Sequence, residues 1–425
     1  MQGPTPADAP DSPRYRGFVL VMLLLVYAFN FVDRQIIGIL AIPIKAELGL
    51  TDTQLALMGG LAFALFYSVL AIPVAWAADR YSRSWIITIS LALWSGFTAL
   101  CGLATGFWQL FLARLGVGIG EAGGVAPSYA LIADYFPPGT RARAISVYSL
   151  GIPIGSAAGI LLGGWIASTV DWRWAFIVVG LAGVVLAPVF RLTVREPRRG
   201  RLDPPRPAAP PPPLGLVMRT LAARPSFWLL GFGAASCSTM GYGLAFWLPS
   251  YFKRTLGLGL LETSQFYGAL TLIGGLAGIA ASGWIADRLG RRSRRAYPLV
   301  PAVAFLVTVP LYAVGLTATS PALAFACFLL PTALALTWLA PVLTAVQHLV
   351  PASMRATASA SFLLINNLIG LGAGTLFLGR ISDALAARHG DQSLGYAILY
   401  GLGFYLLSAF LFFLASRRLE RDWVD

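Results

Sequence analysis

The sequence predicts an all-α polytopic membrane protein with twelve transmembrane helices in two pseudo-symmetric six-helix bundles. Three observations carry that prediction. Of the 425 residues, 57% are hydrophobic and only 12% are charged, whereas a soluble chain carries roughly a quarter charged residues. Apolar runs of about 20 residues recur along the chain, each long enough to cross a hydrocarbon core as a helix, and the period-two alternation of a barrel is absent. The second half also repeats the first. Ala78-Asp79-Arg80-Tyr81-Ser82-Arg83 is matched 208 residues later by Ala286-Asp287-Arg288-Leu289-Gly290-Arg291. Ala126-Pro127, Pro137, Arg141 and Ala142 are matched 214 residues later by Ala340-Pro341, Pro351, Arg355 and Ala356. Duplicated six-helix halves with a binding site between them are the plan of secondary transporters.

In chain order, residues 1–16 are polar and Pro-rich and read as a disordered cytoplasmic N-terminus. Six spans follow at about 17–44, 53–75, 85–106, 107–133, 142–168 and 172–193, forming a bundle over 17–193. The first run is too long for a cleaved leader and lacks a small-residue cleavage motif, so it reads as a span. Residues 194–224, with Pro204-Pro205-Arg206-Pro207 and Pro210 to Pro213, read as an extended cytoplasmic linker between the halves. Six more spans lie at about 225–251, 262–284, 296–317, 320–347, 356–380 and 394–416, giving a second bundle over 225–416 and a tail over 417–425.

Sorted by loop, 23 of the 31 basic residues fall on one side and 6 on the other, with Arg34 and Arg114 inside spans. The richer side is cytoplasmic by the positive-inside rule, and both termini lie there. That placement explains the net charge of +13 without invoking nucleic acid. Cys101, Cys237 and Cys327 sit singly in apolar runs, as small buried hydrophobes rather than a disulfide frame or metal site. No phosphate-binding loop, no HExxH and no nucleophile–base arrangement occurs, and His348 and His389 lie near span ends, so the chain does not read as an enzyme and no cofactor is expected.

The repeated Asp-Arg-x-x-Arg sits at the cytoplasmic ends of spans 2 and 8. Its arginines can pair with carboxylates and with helix-terminal carbonyls there. Recurrence in both halves favours a conformational gate built on Asp79, Arg80, Arg83, Asp134, Asp287, Arg288 and Arg291 over charge that only sets topology. In span 5, Gly151, Gly155, Gly159 and Gly163 form one stripe that permits close helix approach. Gly370, Gly372 and Gly374 of span 11 do the same.

Four charges lie inside spans. Asp33 and Arg34 fall late in span 1, in Tyr27-Ala28-Phe29-Asn30-Phe31-Val32-Asp33-Arg34-Gln35, and Arg114 and Glu121 share one face of span 4 with Gly118. An ionised group at mid-bilayer costs about 2.5–3.5 kcal/mol, so such residues mark ion or substrate routes more often than they serve packing. At 1.5 Å per residue, Arg114 lies about 10 Å, Glu121 about 20 Å, and Asp33 and Arg34 roughly 10–12 Å from the outer end. The spacing predicts Asp33 near Arg114, with Arg34 between Asp33 and Glu121. The alternative is a static network that ties span 1 to span 4. At the repeat offset these positions become Phe328, Ala335 and, approximately, Trp247, so the fold itself does not require charge there. With no histidine at mid-span, a proton carrier must be a carboxylate; burial favours its neutral form and a nearby guanidinium its anion. Asp33 is the expected primary proton-coupling group and Glu121 the second. In the C-terminal half, Tyr242, Trp247, Trp338, Ser361, Asn366 and Asn367 stand among Leu, Ile, Phe and Ala as candidate substrate contacts, with interhelical hydrogen bonding as the competing role. An apolar wall opposite an arginine–carboxylate cluster suits an amphipathic substrate with a polar or anionic head.

The loop motif Gly283-Trp284-Ile285-Ala286-Asp287-Arg288-Leu289-Gly290-Arg291-Arg292 resembles the signature of the major facilitator superfamily; the first copy has Ala75 where that family usually has glycine. Asn30-Phe31-Val32-Asp33-Arg34, Ala113-Arg114-Leu115-Gly116-Val117-Gly118-Ile119-Gly120-Glu121-Ala122, Pro127 through Leu131-Ile132-Ala133-Asp134-Tyr135-Phe136, and Ile152-Pro153-Ile154-Gly155-Ser156 resemble spinster-type transporters. Anion–cation symporters share the Asp-Arg of span 1, and the Gly-Glu-Ala of span 4 tilts the choice. The resemblance implies alternating-access transport of a lysophospholipid-like or sphingosine-1-phosphate-like amphiphile, proton-coupled in some members. It gives head-group recognition and coupling to Asp33, Arg34, Arg114 and Glu121. A bacterial inner membrane and a monomer are expected. A proton-coupled drug exporter and a small organic anion symporter remain open alternatives.

Overall fold

The computed structural model describes residues 12–78, 80–202, 213–290, 293–351 and 354–424. Every regular element among them is helical. The helices are α1 Pro13–Ile39, α2 Ala41–Leu48, α3 Asp52–Ala56, α4 Ala62–Ala78, α5 Arg83–Cys101, α6 Phe107–Glu121, α7 Val125–Tyr135, α8 Pro138–Ser149, α9 Gly151–Thr169 and α10 Trp172–Thr193. They continue as α11 Leu214–Ala222, α12 Pro225–Leu256, α13 Leu260–Gly290, α14 Ala296–Leu316, α15 Pro321–Leu334, α16 Leu339–Gln347, α17 Arg355–His389, α18 Ser393–Gly401 and α19 Gly403–Asp422. A π-helical turn, Leu57–Leu61, joins α3 to α4.

Ten helical stretches among the described residues are long and apolar enough to cross a membrane. One of them, Thr357–Asp422, covers the last two predicted spans. The fourth predicted span, which carries Arg114 and Glu121, is not among the ten, and it breaks between α6 and α7. The tenth predicted span breaks at the equivalent place, between α15 and α16. Pro127 and Pro341 cause both breaks: each is the third residue of its new helix, removes an N–H donor, and crowds the carbonyl four residues earlier. Outward faces carry large apolar side chains such as Val21, Trp108, Leu181 and Val185, which water would penalise and hydrocarbon does not.

By packing, the chain forms two units, one of residues 1–49 and 65–207 and the other of residues 50–64 and 208–425. In the first, α1 runs along α9, and α5 packs between α10 and α6. The glycine stripe works as its spacing predicts. A Cβ on Gly155 would run into the backbone of Ala28, and one on Gly159 would sit 2.7 Å from the carbonyl oxygen of Val32. In the second unit, α12 pairs with α17 and α19. There Gly370 faces Ser238, and a Cβ on Gly374 would meet the Thr239 carbonyl. The repeat therefore reaches helix pairing, with α1–α9 mirrored by α12–α17.

The start of the second span belongs to the second unit. Buried Asp52 takes two hydrogen bonds from Arg254, at 2.8 and 2.7 Å, and one from Ser382 at 2.8 Å. Asp383 accepts from the backbone N–H and hydroxyl of Thr53. Residues 203–212, on which the extended reading of the linker rests, lie outside the described residues. Leu214–Ala222, rich in strong helix formers, is the helix α11, and the segment just after α10 is tied down on the first unit, as described next.

Candidate functional site

The intramembrane charges occupy α1 and α6. Neighbouring residues on a helix point about 100° apart, so Asp33 and Arg34 cannot share a direction. Arg34 turns to α6, where its Nε donates to Glu121 Oε2 at 2.9 Å. Glu121 is 0% exposed. The guanidinium of Arg34 also lies 4.7 Å from the ring of Tyr67 and 5.2 Å from that of Phe31, both within cation–π range. Asp33 turns instead towards α5, with Trp94 and Thr98 as its neighbouring side chains. Arg114 is close, as its spacing predicts, but its Nη1 donates to the backbone carbonyl of Asp33 at 3.3 Å rather than to the carboxylate.

Glycines set this geometry. Gly116 and Gly120 let α6 lie directly on α5, since a Cβ on Gly120 would sit 2.6 Å from the backbone nitrogen of Trp94. That approach brings Glu121 within reach of α1.

Composition did not reveal an aromatic group beside Arg34. Tyr27 stacks on Tyr148 at 4.3 Å and 5°, Tyr129 meets Tyr148 edge-on at 5.4 Å, and Phe31 meets Tyr27 edge-on at 5.2 Å. The seven-residue spacing of Tyr27 and Arg34, which puts both on one face of α1, was the available signal.

In the second unit, Trp247 is fully buried and donates to the Thr375 carbonyl at 2.9 Å. Buried Asn366 accepts from Ser238 at 2.8 Å and donates to Asn367 at 3.3 Å. Ser361 donates to the Thr357 carbonyl, Trp338 caps α16 beside Phe362, and Tyr242 is half-buried on α12. Phe328, at the repeat position of Arg114, packs among Tyr251, Phe252 and Tyr312.

Of the gate residues, Asp79 and Arg291 lie outside the described residues, as does the side chain of Asp287. Arg83 pairs with buried Asp134. Arg80 lies 3.9 Å over Trp76, and Arg288 lies 5.3 Å over Trp284, one cation–π pair in each repeat. The segment after α10 fastens onto this end of the first unit. Glu196 accepts from the N–H groups of Arg83 and Ser84 and from the Ser82 hydroxyl, capping α5. Gly200 N–H donates to Asp134 Oδ1 at 2.8 Å, and Arg199 donates to the carbonyls of Ala78 and Tyr81. Partial burial opposes the charge of Glu196, yet the N–H groups of Ser84 and Arg83 and the serine hydroxyls outweigh it and hold the carboxyl below its ordinary range. A depressed folded-state value means stability present above the unfolded pKa and lost as pH falls through the folded one. Glu196→Ala should therefore lower the melting temperature by about 2–4 °C near neutral pH, the effect of a lost cap. The difference from the parent should shrink once the pH drops below about 4; a difference that persists unchanged at low pH would contradict this account of the cap.

No group of three or more His, Cys, Asp or Glu side chains suited to a metal occurs among the described residues. Two repeats of six apolar runs, with ion-paired side chains inside one repeat, define a membrane transporter. A family model for the Major Facilitator Superfamily matches residues 23–375. An MFS-type efflux pump of Mycolicibacterium smegmatis is 35% identical over 420 residues, covering 97% of this chain and 95% of its own. Protein spinster homolog 1 of Homo sapiens is 29% identical over 394 residues, covering 88% and 74%. The crystal structure of a bacterial homologue of the human lysosomal transporter spinster, inward-facing and unoccupied, superposes with a TM-score of 0.89 at 30% identity, covering 98% of this chain and all of that one. The chain belongs to the Major Facilitator Superfamily and, within it, to the spinster transporters.

Proposed function

We propose that this transporter moves an amphipathic, anionic or zwitterionic lipid-like substrate by alternating access, coupled to protons through Asp33 and Glu121. The observation that carries the reading is the pair formed by Arg34 with fully buried Glu121, with a second buried carboxylate, Asp33, next to Arg34 in the chain. Charges held in that setting are costly unless they exchange partners with a substrate or a proton. Arg34 can leave Glu121 for an anionic head group, and the freed carboxylate then favours a proton. Arg114 supports the backbone of Asp33, and Tyr242, Trp247, Trp338, Ser361, Asn366 and Asn367 serve the substrate from the second unit. Asp79, Arg80, Arg83, Asp134, Asp287, Arg288 and Arg291 form the gate. The protein acts as a monomer in a bacterial inner membrane with both termini cytoplasmic.

The relatives named as spinster proteins favour the lipid-like substrate. The name of the M. smegmatis relative, an efflux pump, supports the export part of the second reading, a proton-coupled exporter of drugs. Proteoliposomes offered lysolipids, organic anions and drugs, with and without a pH gradient, separate the two. In that assay Asp33→Asn is expected to abolish gradient-driven accumulation, at least tenfold, while exchange without a gradient persists. An Asp33→Asn protein whose transport keeps the parental pH dependence would remove Asp33 from the coupling role.

A further inference from the structure

A buried carboxylate normally collects hydrogen bonds, because the charged form is expensive without them. Asp33 is 1% exposed, and neither of its carboxylate oxygens has a hydrogen-bond partner. Trp94 and Thr98, both 0% exposed, stand beside it on α5, and neither the indole N–H nor the threonine hydroxyl has an acceptor. The four-residue spacing puts both donors on one face of the helix. Thr98, like Thr308, lacks the bond that other helical threonines make. Thr88, Thr239, Thr332 and Thr344 each donate to the carbonyl four residues earlier, the ordinary resting place of a helical threonine hydroxyl. Gly120 of α6 lies against the backbone of Trp94, and Gly124, in the turn after α6, lies beside its indole ring.

We infer that Trp94 and Thr98 are positioning residues for Asp33, receiving its carboxylate when it is charged and releasing it when it is neutral. This rests on Asp33 being the proton carrier. The unbonded arrangement suits the neutral acid, which loses little by lacking donors. The charged acid requires a small turn of its side chain onto the indole N–H and the hydroxyl, which wait without partners. The other titratable groups facing Asp33 are Arg114 and Glu121 of α6 and Cys101 of α5. Arg34, on α1 itself, is engaged by Glu121. From α9 the neighbours of α1 are glycines, and α8 brings Tyr148 to Tyr27, two turns away.

The test is an infrared titration of the protonated carboxyl band of the purified full chain in nanodiscs, with the Asp33 band defined as the one lost in Asp33→Asn. Thr98→Val and Trp94→Phe each delete one donor to the anion, so each should move the midpoint upward by about one pH unit. Thr98→Ser should restore the parental midpoint. Melting curves confirm folding, and either variant carries the test if the other does not fold. Midpoints that stay at the parental value in both variants overturn the inference. Midpoints that shift while parental transport ignores a pH gradient leave the donors in place and remove Asp33 as carrier, so the two failures are distinguishable.

Discussion

Arg34→Ala is expected to reduce transport at least tenfold and to lower the stability of the folded protein by about 3–5 kcal/mol, the usual cost of stripping one partner from a buried ion pair. The cost arises on the other side of the pair. Glu121 is wholly buried and its second oxygen, Oε1, has no hydrogen-bond partner of its own, so without Arg34 its charge has no adequate replacement for water. Glu121→Gln added to Arg34→Ala should return most of the lost stability, because no lone charge then remains. It should not return transport, which in the proposed cycle needs the guanidinium to change partners. Thermal melting and proteoliposome uptake on the single and double variants separate the two effects. A double variant as unstable as Arg34→Ala alone would show that the pair is not what holds α1 to α6. Normal uptake by Arg34→Ala would exclude the partner exchange itself.

The second large effect concerns packing. Gly155→Leu should prevent α1 and α9 from reaching their observed separation, because the new side chain begins inside the backbone of Ala28. Neither helix can yield locally, since the obstruction is main chain rather than a side-chain tip. Overpacking of this kind costs typically 1–3 kcal/mol, occasionally more, and this site belongs at the upper end. Gly96→Ala is the control. A Cβ there meets nothing within 4 Å, and an alanine inside a helix is better than glycine by about 1 kcal/mol. Loss of the folded monodisperse peak for Gly155→Leu, with a raised melting temperature for Gly96→Ala, is the expected pair of outcomes. Equal melting temperatures would contradict the backbone contact.

Much of this was legible before any coordinates. Apolar runs and their repeat offsets gave the helices and their two-fold grouping, because hydrocarbon leaves so few backbone solutions. Pro127 and Pro341 even marked the shared break, although periodicity alone did not read it as one. Depth along two antiparallel spans put Arg34 between Asp33 and Glu121, and the structure shows it paired with Glu121. What depth could not supply was azimuth: whether Arg114 meets the side chain or the carbonyl of Asp33 depends on a rotation of α1 that glycine contacts with α9 fix. Trp94 and Thr98 were invisible for the same reason, as an indole and a hydroxyl in an apolar run look like core. Glu196 gave no sign either, because a glutamate among arginines after a span reads as loop charge until the free end of α5 is found beneath it.

Phe328 in its aromatic nest has a wider consequence. One repeat carries an electrical circuit and the other holds rings at the matching place. Rings of similar volume can be exchanged at small cost, whereas a guanidinium and a carboxylate tolerate almost no exchange. If the proposed coupling holds, cargo preference can drift through the insulated copy while the power supply stays fixed, and a library confined to residues 225–416 is where altered selectivity should be sought.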